Sequence, residues 1–180
     1  MKQITLVSLL FIITNINAKS SNEEVNEVEQ PEYLTKLFQH ENIYIGPQPG
    51  YSDFDTIKKA GFSKVINMRT PDEMDNLEFY EDYLLQKAGI DYHLLPIGGE
   101  EYKYTPEKLQ EFAESLNNNE GKVLLHCGSG HRASQLWAAY LVKYKGKTPD
   151  EALSLVSDMG WWPMPMELLL NKKLHVSIAE

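Results

Sequence analysis

The chain has 180 residues, 42% of them hydrophobic, and a formal charge of −9 with its histidines neutral. That length supports one globular domain with a real core. The acidity argues against nonspecific nucleic-acid binding and against docking on an anionic membrane surface, since both need clustered Lys and Arg.

In chain order, residues 1–18 come first. Lys2, the apolar run from Ile4 to Ile13 and the small Ala18 form the pattern of a secretory signal peptide cleaved after Ala18. The run is short for a transmembrane helix. The expectation is an exported protein, periplasmic or secreted, with no stable membrane insertion after cleavage. Residues 19–30 are polar and acidic and read as a flexible lead-in. Residues 31–180 then form a single domain. The one cysteine excludes an intramolecular disulfide, so in an oxidising compartment the core alone must stabilise that domain.

Pro31 starts a helix reaching His40, with Leu34, Leu37 and Phe38 on one face. Ile43 to Ile45 is a first strand, and Asp53 to Ala60 a helix ended by Gly61. Ser63 to Met68 is the second strand, followed by a loop from Thr70 to Glu73 and a helix from Met74 to Ala88. A strand from Asp91 to Leu95 leads into the loop Ile97 to Tyr104, and Thr105-Pro106 caps another helix. Lys122 to His126 is a strand and Ala133 to Lys145 a helix. Thr148-Pro149-Asp150-Glu151 is a capping box opening a helix to about Met159. Gly160 to Pro163 breaks it, with Trp161 and Trp162 covering a core edge or flanking the pocket, the core reading being preferred, and Met166 to Leu174 is a last helix. Strands that alternate with helices imply an α/β fold with a mostly parallel central sheet flanked by helices.

The chemistry concentrates in His126, Cys127, Gly128, Ser129, Gly130, His131 and Arg132. They lie between a buried strand and a helix start. The first N–H groups of a helix lack intrahelical partners, and its dipole favours negative charge there. A cysteine among those donors and beside Arg132 favours its thiolate form. The glycines let backbone N–H groups turn inward, and Arg132 offers a planar fork for an oxyanion. The histidines are scattered, and no ligand spacing implies a metal. No cofactor is expected.

This loop resembles the catalytic loop of cysteine-dependent phosphatases of the dual-specificity type. The segment Val65-Ile66-Asn67-Met68-Arg69 strengthens the match. The chain is most similar to the bacterial beta-lactamase-hydrolase-like phosphatase family, through Ile45 to Pro49, Ile66 to Glu73 and Cys127 to Arg132. The resemblance covers roughly residues 40 to 145. It implies Cys127 as nucleophile, and Arg132 with Gly128, Ser129, Gly130, His131 and Arg69 as phosphate binders. His126 would orient the loop. The family's general acid is an Asp in the loop after the preceding strand; here that loop carries Glu100 and Glu101 instead. The family's Arg and Glu map onto Arg69 and Glu73, which a mutual salt bridge would explain.

Three functions follow. The first is a phosphatase acting on a phosphorylated small molecule or phosphoprotein through a phosphocysteine. The second is a rhodanese-like sulfurtransferase carrying a persulfide on Cys127, because only four residues separate Cys127 from Arg132. The third is an oxyanion-binding module without turnover. The sequence is silent on oligomeric state.

Overall fold

The structure is a computed structural model that describes residues 30–159 and 163–175. Residues 1–18, expected above to be a signal peptide, nearly all of the expected lead-in, and Trp161 and Trp162 lie outside the described residues.

Five strands form one sheet: β1 (Phe38–His40), β2 (Ile43–Gly46), β3 (Phe62–Asn67), β4 (Asp91–Leu94) and β5 (Lys122–His126). Their spatial order is β1-β2-β5-β3-β4. Only β1 runs antiparallel to its neighbour; the others pair in parallel. The strand that feeds the cysteine loop is therefore central, with Leu125 level with Ile45 on one side and Ile66 on the other.

A central parallel strand must bury both faces, which is why Val123-Leu124-Leu125 is continuously apolar. Leu124 points into one cluster with Val65, Phe54, Ile57 and Leu85. Val123 and Leu125 point into the opposite cluster with Ile45, Ile66, Phe112 and Leu136. The first face is covered by α1 (Glu32–Thr35), α2 (Asp53–Lys59) and α4 (Glu81–Ala88), the second by α5 (Pro106–Ser115), α6 (His131–Lys145), α7 (Pro149–Val156) and α8 (Pro163–Leu170). Trp137 is buried on α6 and stacks on Tyr140 with centroids 5.2 Å apart. The expected α/β fold is the one observed.

Three local expectations are corrected. The helix expected from Pro31 to His40 stops at Thr35, and Phe38 to His40 becomes an edge strand paired with β2. The loop expected from Thr70 to Glu73 is the start of a short helix, α3 (Pro71–Asp75). Thr70 accepts a bond from the Glu73 N–H while the Glu73 carboxylate accepts from the Thr70 N–H, a complete capping box. The helix expected from Met74 to Ala88 is consequently two helices, separated by residues 76–80.

Candidate active site

β5 delivers His126 and Cys127 to the C-terminal edge of the sheet, where ligands gather in open α/β folds. Gly130 sits at φ +96°, in the left-handed region, and forms the N-cap of α6. A Cβ there would lie 2.9 Å from Met159 Cε and 3.2 Å from the Gly46 carbonyl oxygen, so both backbone angle and space demand glycine. That turn aims the Gly130 N–H at the Cys127 sulfur, 3.1 Å away. Cys127 is only 1% exposed.

Arg132 follows on the first turn of α6, and its guanidinium is fixed from several sides. Nη1 donates to Glu73 Oε2 and Nη2 to Glu73 Oε1, each at 2.7 Å, in a two-pronged pair. Nη1 also donates to the Ile97 carbonyl at 2.9 Å and the Met68 carbonyl at 3.2 Å. Gly98 makes room for this approach, since a Cβ there would meet Nη1 at 3.3 Å. The Glu73 hydrogen bond raises the Arg132 pKa, and Cys127 adds to it by charge and hydrogen bonding. Reciprocally, Arg132 first and the Thr70 backbone second hold the Glu73 carboxyl at about 2.

Arg69 stands at the end of β3 but is engaged elsewhere. Its Nη1 donates to Gln48 Oε1 and its Nη2 to the Glu73 carbonyl, both at 2.8 Å. Its contact with the Glu73 carboxylate is long, 3.8 Å. Gln48 in turn donates its backbone N–H to the Gly128 carbonyl at 3.3 Å. Arg69 thus reaches the cysteine loop through Gln48, and Glu73 has Arg132 as its main partner.

Behind the loop lies a buried polar cluster. The His126 Nε2 is 2.9 Å from Glu81 Oε1, and both side chains are wholly buried. The contact is off the line of a straight hydrogen bond. Asn67 Nδ2 donates to Glu81 Oε2 at 2.8 Å and lies 3.1 Å from the Tyr92 hydroxyl. Burial first and the Glu81 charge second push both the Tyr33 and Tyr92 phenols upward. Glu81 does not stand out as a site residue in the sequence, and Gln48 does so only as part of the Ile45 to Pro49 stretch that carries the resemblance, with no role assigned to it. Both belong to segments whose neighbours are set only by tertiary packing. The signal that was available is Asn67, a polar residue ending an apolar strand.

Gly98, Gly99, Glu100, Glu101 and Tyr102 line a cleft of about 630 Å³ together with Thr70, Asp72, Glu73 and Arg132. Glu100 is almost fully exposed and lies 3.3 Å from Lys103. Tyr104 is half-buried against the core; burial raises its phenol, and the charges of Arg132 and Cys127 act on it in opposite directions. Among the described residues, no group of three or more His, Cys, Asp or Glu side chains could hold a metal. Nor, among the described residues, is any helix long and apolar enough to cross a membrane.

The family described as Beta-lactamase hydrolase-like protein, phosphatase-like domain, matches residues 37–142. A beta-lactamase hydrolase-like protein of Xylella fastidiosa is 32% identical over 101 residues, covering 55% of this chain and 23% of that protein. Its counterpart in Agrobacterium fabrum is 30% identical over 102 residues, covering 54% and 23%. The chain therefore spans about a quarter of the length of these relatives. Among solved structures, Tk-PTP in its active form superposes with a TM-score of 0.63 at 21% identity, covering 77% of this chain and 98% of that one. PTPMT1 superposes at 0.62 with 20% identity, covering 75% and 92%. These likenesses establish a protein-tyrosine-phosphatase-like fold.

Proposed function

The chain belongs to the phosphatase-like domain family of beta-lactamase hydrolase-like proteins, and from that premise we propose that it is a cysteine-dependent phosphomonoesterase. The Cys127 thiolate attacks phosphorus; an S–P bond forms as the ester P–O bond breaks. Glu100 or Glu101 gives a proton to the departing oxygen. Water then attacks the phosphocysteine, the same carboxylate takes its proton, and inorganic phosphate leaves with the thiolate restored. The substrate is a phosphorylated small molecule or a phosphoprotein; PTPMT1, for comparison, has been solved in complex with PI(5)P.

The observation that carries this reading is the clamp on Arg132. A guanidinium fixed by two 2.7 Å bonds to Glu73, beside a sulfur that accepts the Gly130 N–H, needs no rearrangement to meet charge developing on a phosphoryl group. Removing such a donor costs turnover about a hundredfold or more. Gly128, Ser129 and His131 complete the loop around that anion. His126, backed by Glu81, holds the loop from behind. We also propose export, on the pattern of residues 1–18.

The sulfurtransferase reading keeps one observation on its side, the four-residue spacing from Cys127 to Arg132. Acid-quenched mass spectrometry of the protein during turnover of an aryl phosphate separates the two. A phosphoryl adduct on Cys127, absent in Cys127→Ser, is the expected result. A persulfide formed from thiosulfate, with no phosphoryl adduct, would overturn it.

A further inference from the structure

Glu81 has no part in the reaction above. It opens α4, where the helix dipole favours a carboxylate. Its side chain is wholly buried beside that of His126, with Oε1 2.9 Å from His126 Nε2. Its other oxygen, Oε2, accepts from Asn67 Nδ2 at 2.8 Å. Asn67 Oδ1 accepts the Arg69 backbone N–H at 2.8 Å, and Arg69 Nη1 donates to Gln48 Oε1 at 2.8 Å. Gln48 then donates its backbone N–H to the Gly128 carbonyl at 3.3 Å. His126 and Gly128 are the two chain neighbours of Cys127. The contacts therefore close a ring that passes through the nucleophile.

We infer that Glu81 is a positioning residue for Cys127, the link that closes this ring and fixes the loop on both sides of the sulfur; the catalytic part of the inference rests on the phosphatase reading above. Stability alone does not account for a carboxylate here, since apolar side chains in place of a buried ion pair are often as stable or more so. With two oxygens it meets a nitrogen on each of two strands, Asn67 at the end of β3 and His126 at the end of β5. It thereby ties the strand that carries the cysteine loop to the strand that leads to Arg69. Arg132 is held separately, by Glu73 and the Met68 and Ile97 carbonyls, and none of these belongs to the ring. The two supports divide the work. The clamp on Arg132 serves the phosphoryl group, and the ring keeps the Cys127 sulfur on the Gly130 N–H, 3.1 Å away. Opening the ring at any link should slow the attack of sulfur and leave the binding of phosphate nearly intact.

The test is a double-mutant cycle in the full chain. Glu81→Gln keeps the size of the side chain but leaves one acceptor for two nitrogens. Gln48→Ala cuts the ring at its far side, on a residue outside any helix or strand. With an aryl phosphate, each variant should lower kcat about fivefold or more while KM changes less than about threefold. The double variant should lie within about twofold of the worse single one, because a ring already open loses little from a second cut. Unchanged kcat in either folded single variant, a loss carried by KM, or losses that multiply in the double variant would each overturn the inference. Alkylation of Cys127 by iodoacetamide reads the same ring without turnover. The ratio of its rates at about pH 6 and about pH 9 cancels access and follows the thiolate, and it should fall about threefold or more in both variants. If the wild type hydrolyses no aryl phosphate, the phosphatase reading is the part that fails, and this ratio decides the ring. A fall in both variants upholds it, and an unchanged ratio overturns it. If Glu81→Gln does not fold, Gln48→Ala decides by the same two readings.

Discussion

Glu73 shows how much one carboxylate can hold. It closes the capping box of α3, grips both terminal nitrogens of Arg132, and touches Arg69 more distantly. Its carboxyl is lowered from 4.5 to about 2, with Arg132 as the first cause. A folded value below the unfolded one means that the carboxylate's stabilisation is complete above about pH 4.5 and disappears as pH falls toward 2. Glu73→Gln should therefore melt below the wild type at neutral pH, and the gap should close between pH 4.5 and 2. Thermal melts across that range check this. Turnover of the variant should fall by about tenfold or more, because Arg132 loses its orientation. The pairing of Glu73 with Arg69 was expected only through the family resemblance, and it is the longer of the two contacts, at 3.8 Å. The stronger partner of Glu73 lies 59 residues away, and no local pattern encodes that.

The short elements explain where local reading succeeds and fails. Thr148 and Thr70 both open capping boxes, each followed by proline. The first announces itself because apolar residues continue behind it for two turns. The second does not, because α3 ends after five residues with none of them buried. The segment from Phe38 to His40 was misread for a related reason. Its apolar spacing serves a helix or a strand, and only pairing with β2 decides. The two caps also differ in consequence. Thr148→Ala should cost about 1 kcal/mol of stability and leave kcat/KM unchanged. Thr70→Ala should cost a similar amount and also lower kcat/KM, since α3 carries Glu73 to Arg132. Urea denaturation together with steady-state kinetics on both variants checks the contrast.

At the scale of the whole molecule, the fold class and the cysteine loop were legible, and the strand order was not. Alternating strands and helices with a continuous apolar run at Val123 to Leu125 imply a buried parallel strand. That the last strand in sequence inserts between β2 and β3 is settled by packing on both faces at once. The insertion sets the His126 carbonyl to accept from the Met68 N–H at 2.8 Å and places Glu81 against His126. The site is therefore assembled from segments that are scattered in sequence and share one edge of the sheet. Its buried half, Asn67, Glu81 and His126, holds polar groups that would be costly if left alone.

The most direct measurement assays the reduced protein side by side on an aryl phosphate and on thiosulfate with cyanide as acceptor, with Cys127→Ser as control. The expected result is phosphate release that depends on Cys127, and no thiocyanate. Thiocyanate formation that depends on Cys127, without phosphate release, would contradict it and make the short loop a sulfur carrier.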